Sequence, residues 1–167
     1  MITNMNERKK IFLIDDDVAY LTIAELFLKN EYDIYKATSG GDALKYLCSN
    51  KFTPNLIMLD ILMPNMDGWE VFNKIRAIGV LKNVPIVFLT TAEEEKEKKK
   101  VRKFGAAGYI TKPYNMVDLR CRIRDILKDQ ENRRGAVSKP FAAHGRVFFP
   151  PPFRSGPAGL RYPPNGN

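Results

Sequence analysis

The chain has 167 residues, 44% apolar and 28% charged, with a formal charge of +8. That length holds one domain with a proper core, and the balance is that of a globular protein rather than a disordered or fibrous one. No apolar run approaches the roughly 20 residues that cross a bilayer, and the opening MITNMNERKK has no apolar leader region, so a cytoplasmic protein with no membrane partner is expected. Cys48 and Cys121 stand too far apart for a metal motif. They read as small buried hydrophobes in a reducing compartment.

Residues 11–14 form an apolar strand that runs straight into Asp15, Asp16 and Asp17. Residues 18–29 read as a helix, 32–37 as a weaker strand, and 40–50 as a helix with Ala43, Leu44 and Leu47 at helical spacing. LIMLD, 56–60, is an apolar strand ending in one acid, and MPNMDG, 63–68, is loop chemistry. A helix is predicted over 69–77 from Val71, Phe72 and Ile75, and a strand over 85–91. A charged helix follows over 92–104, then a short strand over 108–110. The last helix, 115–130, carries Met116, Leu119, Ile123, Ile126 and Leu127 as one stripe.

Strand and helix alternate five times, and the strands are nearly continuous apolar runs. This predicts an α/β fold: five parallel strands in one doubly wound sheet covered on both faces. In such sheets reactive groups collect beyond the carboxyl ends of the strands. Here those ends carry Asp15 and Asp16, then Asp60, then Thr90 and Thr91, then Lys112. Taken singly, each has a structural explanation. The acid triplet can cap a helix, the threonines suit a strand, Tyr109 can fill a core, and Asp67–Gly68 can be a turn. Asp17 is assigned to the cap. Gathered on one rim, the carboxylates repel unless a hard divalent ion sits among them. Oxygen ligands with room for water suit Mg2+. A carboxylate there can take up a phosphoryl group, paired with Lys112 as a point charge and with the Thr90 hydroxyl as donor.

LIDDD, LIMLDILMPNMDG, IVFLTTA and GAAGYITKPY occur in that order, with steps of 44 residues from Asp16 to Asp60, 30 to Thr90 and 22 to Lys112. Over roughly residues 9–129 the chain resembles the receiver domains of two-component response regulators, of the chemotaxis-regulator type. The resemblance implies a flavodoxin-like (βα)5 receiver fold. It implies Asp60 as phosphoacceptor, and Asp15, Asp16, Asp60 and the Leu62 backbone carbonyl as Mg2+ ligands. It also implies Lys112 as the phosphoryl grip ahead of a cis Lys–Pro bond, and Thr90 and Tyr109 as the switch pair. The only histidine, His144, lies in the tail, so the phosphoryl group is expected from a histidine kinase, a histidine phosphotransfer protein or a small acyl phosphate. The signal then passes through the fourth helix, fifth strand and fifth helix to a downstream protein target. Direct nucleic-acid binding by the receiver itself is not expected. The chain is not a conventional enzyme: it would catalyse its own phosphorylation and a slow autodephosphorylation. Slowness is expected because Leu62 and Ala92 are apolar where a water-orienting side chain would stand.

The charged 92–104 segment reads as a solvated face or as part of the signalling surface, with Arg120, Arg122 and Arg124 beside it. A flexible N-terminus over 1–8 and a receiver over 9–130 are expected. Beyond them, over 131–167, lies an irregular Pro-, Gly- and Arg-rich tail. Half of the +8 lies after residue 134, where there is no acid. That composition suits extended or disordered chain. A read-through or vector-derived segment, a native flexible tail and a basic-aromatic nucleic-acid-binding tail stay open. A second reading of the whole is the isolated receiver part of a DNA-binding transcription regulator.

Overall fold

The computed structural model describes residues 7–49, 52–91 and 95–135. Its strands are β1 (Lys10–Ile14), β2 (Asp33–Ala37), β3 (Leu56–Asp60), β4 (Ile86–Thr90) and β5 (Gly108–Thr111). Its helices are α1 (Val18–Leu28), α2 (Gly40–Cys48), α3 (Gly68–Ala77), α4 (Glu95–Lys103) and α5 (Met116–Gly135), with a 3-10 turn over Gly79–Leu81. All strands are parallel, in the order β2-β1-β3-β4-β5. The predicted doubly wound sheet is the fold. Its order reverses between β1 and β3, the point of a doubly wound sheet beyond whose carboxyl ends ligands bind.

Strand alternation sorts the core into two layers. Phe12 and Ile14, Ile57 and Leu59, and Ile86 and Phe88 face one side, where Ala43 and Leu47 of α2, Val71, Phe72 and Ile75 of α3 and Val101 of α4 cover them. Ile11 and Leu13, Leu56 and Met58, and Val87 and Leu89 face the other side, under Leu21, Ala24 and Leu28 of α1 and Leu119, Ile123 and Leu127 of α5. The predicted α5 stripe is therefore its buried face, with Met116 and Ile126 packed at the edge of the same layer.

Helix ends follow their local chemistry. The Asp17 side chain accepts from the Ala19 and Tyr20 amides and caps α1. Ser39 caps α2, and Asp67 caps α3 by accepting from the Glu70 amide. Gly105, at φ +69°, closes α4. Its N–H bonds the Arg102 carbonyl and the Ala106 N–H bonds that of Val101, the paired closure that an αL glycine makes possible.

The helix of the last segment runs through Gly135, so residues 131–135 belong to it rather than to an irregular tail. Composition drew the boundary too early. Glu131 continues the helix and pairs with Lys9 at 2.8 Å. Residues 136–167, the expected flexible stretch 1–6 and the start of the charged helix at 92–94 lie outside the described residues. Arg8, placed in the flexible N-terminus, donates to the Lys29 and Tyr32 carbonyls. Both cysteines are exposed, against the expectation of burial. Cys48 ends α2, and Cys121 sits between the buried Leu119 and Ile123, on the outward side of α5. Arg120 and Arg124 do not extend the α4 surface: both pair with Glu31 at the end of α1, at 3.4 and 3.2 Å. Among the described residues, no helix is long and apolar enough to cross a membrane.

The α3–β4 connection, which sets the height of β4, hangs on one side chain. Arg76 lies over the Phe72 ring at 4.8 Å and donates to the Leu81 and Val84 carbonyls at 3.3 and 2.9 Å. Replacing it, as Arg76→Met, keeps the aliphatic stem but takes the guanidinium donor from the Val84 carbonyl, while the Leu81 carbonyl still accepts from the Val84 N–H at 3.0 Å. The free energy of unfolding is expected to fall by about 1–3 kcal/mol, read from urea titrations. A change under about 0.5 kcal/mol would show that water replaces the guanidinium.

Candidate functional site

Three rim positions are fixed by backbone bonds that continue the sheet past its strands. The Asp15 N–H bonds the Ala37 carbonyl at 3.2 Å, the Ile61 N–H bonds Leu89 at 3.0 Å, and the Lys112 N–H bonds Thr90 at 2.7 Å. Alternation then aims the side chains. Asp15 has the parity of Leu13, Asp60 that of Met58, and Lys112 that of Ile110, all on the α1/α5 side.

The three acids predicted as metal ligands meet there. Asp15, Asp16 and Asp60 each offer a carboxylate oxygen, and these lie within 4.8 Å of one another. Asp15 and Asp60 are buried, whereas Asp16 is exposed. Lys112 reaches in from beyond β5. Its Nζ donates to Asp15 Oδ2 at 2.6 Å and to Asp60 Oδ2 at 2.9 Å, and the whole side chain is buried. Asp15 Oδ1 accepts from the Asp17 N–H at 2.9 Å, and Asp60 Oδ1 from the Leu62 N–H at 3.2 Å. The Lys112–Pro113 peptide is cis, as expected.

Burial pushes the Asp15 carboxyl above its ordinary range, and the hydrogen bonds from Lys112 and from the Asp17 N–H offset only part of that rise. For Lys112, burial pulls the other way, but the two carboxylates outweigh it and hold the ammonium above its ordinary value. Among the described residues, no buried side-chain nitrogen or oxygen lacks a hydrogen-bond partner.

The remaining predicted residues surround this cluster rather than enter it. Thr90 is buried at the tip of β4, one position beyond Leu89, the register partner of Asp60 on the neighbouring strand. Tyr109 stands opposite Phe88 and is half-buried against the α2–α4 layer, so it and Thr90 share the other side of the sheet. Leu62 is 62% exposed at the mouth. Ala92 lies outside the described residues.

Three contributors were missed in the sequence. Gly68, expected only as part of a turn, lets the β3–α3 loop fold back on the strand tip. Its N–H bonds the Ile61 carbonyl at 2.9 Å, and a Cβ there would lie 2.2 Å from the Asp60 carbonyl oxygen. Tyr20 of α1 lies under Lys112, with its ring centroid 4.6 Å from Nζ, and Tyr114 packs against Tyr20 at 5.8 Å. Burial raises the Tyr114 hydroxyl well above its ordinary pKa, and the charge of Asp15 adds to this. The Asp-Gly pair was the one available signal for the loop. A tyrosine on an amphipathic helix carries none.

Comparison with known proteins places this arrangement. The family described as the response regulator receiver domain matches residues 11–124, and the chain belongs to that family. It is thus a receiver of the two-component type; receiver domains typically bind Mg2+ at an acidic pocket, and this chain holds an Asp15, Asp16 and Asp60 cluster. It is 35% identical, over 74% of its length, to the alkaline phosphatase synthesis transcriptional regulatory protein PhoP of Bacillus subtilis, of which it spans 50%. It is 33% identical, over 79% of its length, to histidine kinase P4 of Formosa agariphila, of which it spans 10%. Among solved structures, chemotaxis protein CheY4 of Vibrio cholerae superposes with a TM-score of 0.67 at 26% identity, over 72% of this chain and 99% of that one. A CheY-like receiver protein from Methanospirillum hungatei gives 0.69 at 30% identity, over 76% and 99%.

Lys112→Met would leave Asp15 and Asp60 facing one another without the ammonium. The Asp15 carboxyl, already above its ordinary range through burial, then loses the Lys112 contact that lowers it and rises further, so the folded form gains stability from protons at low pH and loses it as pH rises. The deficit against wild type is expected to be largest near neutral pH, about 3 kcal/mol, and to shrink toward pH 4. Urea unfolding without divalent ions checks this, and a deficit independent of pH would refute it.

Proposed function

We propose that this receiver takes a phosphoryl group onto Asp60 from a phosphohistidine protein or a small acyl phosphate, and signals its presence to a partner protein. The observation that supports it is the buried Asp60 carboxylate, held by Lys112 Nζ and the Leu62 N–H next to two further acids. One oxygen of Asp60 attacks phosphorus, the O–P bond forms, and the P–N bond to the donor imidazole, or the P–O bond to the acyl group, breaks. Lys112 follows the charge onto a phosphoryl oxygen, and the Thr90 hydroxyl donates to another.

The residues present fit a divalent cation. Asp15, Asp16 and Asp60 supply hard oxygen donors within 4.8 Å of one another, and the Leu62 carbonyl is the fourth ligand of this reading. When bound, Mg2+ neutralises carboxylate charge and orients the phosphoryl oxygens. Asp16, the exposed member, keeps one side of the cluster open to water and to the donor.

Thr90 and Tyr109 form the switch in this reading. They lie on adjacent strands and one side of the sheet, two positions apart in register. If Thr90 turns toward a phosphoryl group, it leaves space that the half-buried Tyr109 ring can enter, which alters the α4–β5–α5 surface presented to a partner. The Bacillus relative is a transcriptional regulatory protein, and this favours a second reading, the receiver segment of a DNA-binding regulator. The coding sequence that follows residue 130 in the gene separates the two.

Incubation with Mg2+ and acetyl phosphate, followed by intact mass measurement, is expected to show one added phosphoryl group. Asp60→Asn is expected to abolish it, and chelation of the metal to suppress it. Addition at another residue, or none at all, would refute the assignment.

Leu62 offers no polar atom that could orient an attacking water, so the acyl phosphate is expected to turn over slowly. Leu62→Asn should shorten its half-life about tenfold or more, less than the roughly hundredfold or more of a full general acid or base because an amide only orients the water, as followed by loss of label. An unchanged half-life would clear Leu62 of that role.

A further inference from the structure

We propose that Tyr20 is a positioning residue for Lys112: its ring face holds the ammonium in place while the carboxylates around that ammonium change partners. The proposal rests on the reading of Lys112 as the cation that follows the phosphoryl group. Three contacts fix the Lys112 head in this structure: Asp15 at 2.6 Å, Asp60 at 2.9 Å and the Tyr20 ring at 4.6 Å. Lysine is a point charge on a flexible four-carbon stem, so its contacts, not its shape, decide where the charge sits. Two of the three belong to groups that the reaction engages, since Asp60 gives an oxygen to phosphorus and Asp15 serves the cation site. The ring takes no part in that exchange, and its attraction for a cation persists in a site shielded from water.

The ring is itself held. Asp17 accepts from the Tyr20 N–H at 3.4 Å as well as from that of Ala19, which sets the first turn of α1. Tyr114, two residues past Lys112, packs against Tyr20 with ring centroids 5.8 Å apart and rings tilted at 45°. Tyr20 is only half-buried and belongs to neither layer of the core, so packing alone does not account for an aromatic side chain there. The acid triplet thereby has two tasks: Asp15 and Asp16 form the pocket, and Asp17 sets the turn that carries the aromatic support of its lysine.

The test uses the full chain. In wild type, the Lys112 Hε resonances are expected upfield of those of the other lysines because of the Tyr20 ring current. Tyr20→Phe, which keeps the ring and drops the hydroxyl, should retain both the displacement and the rate of phosphorylation by acetyl phosphate. Tyr20→Leu and Tyr20→Met should lose the displacement and slow phosphorylation about tenfold, with the final stoichiometry unchanged. The proposal is overturned if Lys112 is not displaced in wild type, if Leu and Met variants react at the wild-type rate, or if Tyr20→Phe fails with them. A wild type that accepts no phosphoryl group, with the displacement present and then lost in Tyr20→Leu, overturns the phosphoacceptor reading and supports the placement of Lys112 by the ring.

Discussion

The ammonium of Lys112 between Asp15 and Asp60 sets the terms for the rest of the structure. Two carboxylates about 4 Å apart at a partly shielded rim repel by roughly 4 kcal/mol, and the third acid adds to this. One ammonium cannot balance three carboxylates, so two negative charges remain. Such a cluster is stable enough to fold, yet is left short of positive charge. That imbalance follows from sequence, because the acids end β1 and β3, the strands on either side of the point where the sheet order reverses. A fold that brings those two tips together has to bring their acids together as well.

The sheet also separates the proposed phosphoacceptor cluster from the proposed switch pair. Strand parity sends Asp15, Asp60 and Lys112 to the α1/α5 side, and Thr90 and Tyr109 to the α2–α4 side. Asp60 and Thr90 end neighbouring strands and differ in parity, so on the proposed reading an event at the Asp60 carboxylate would reach the other layer across a single strand-to-strand step. Beneath Thr90 that layer is aromatic. Phe88 packs against Trp69 at 4.3 Å with the rings tilted at 40°, Trp69 meets Phe104 at 5.4 Å, and Lys100 of α4 lies over the Trp69 ring at 4.2 Å. The sparse apolar content of α4 is thus offset by contacts to the aromatics of α3, and among the side chains described over residues 99–103 Val101 is the buried one.

The elements were legible because their boundaries are chemical. Apolar runs stop at Asp15, Asp60 and Thr90, and these stops are the rim of the sheet. The position of Asp15, Asp16, Asp60 and Lys112 beyond the carboxyl ends of parallel strands pointed to the acid cluster and its lysine. Other features were not legible, for specific reasons. The last helix outran its predicted end because residues 131–135 were judged by the composition that follows them rather than by their own helical propensity. The cysteines were read by residue type, whereas register decides burial, and Cys121 lies two positions from the buried Leu119 and Ile123. Arg120 and Arg124 were read by position along the chain, and Glu31, far away in sequence, claims both.

Tyr20 and Gly68 mark a deeper limit. Each acts through a contact that exists only once two distant segments meet: the Tyr20 ring against Lys112, and the Gly68 backbone against the Asp60 carbonyl. Neither contact has a periodicity, because a single residue supplies it. The catalytic types of residue announce themselves, since acids and a lysine at apolar strand ends conflict with burial. The residues that hold them in place conflict with nothing and resemble filler. Here that difference is physical: the charged groups bear the electrostatic cost of the site, while the ring and the glycine determine where that cost is borne. A substitution that preserves every charge can therefore still displace the ammonium from the carboxylate it serves.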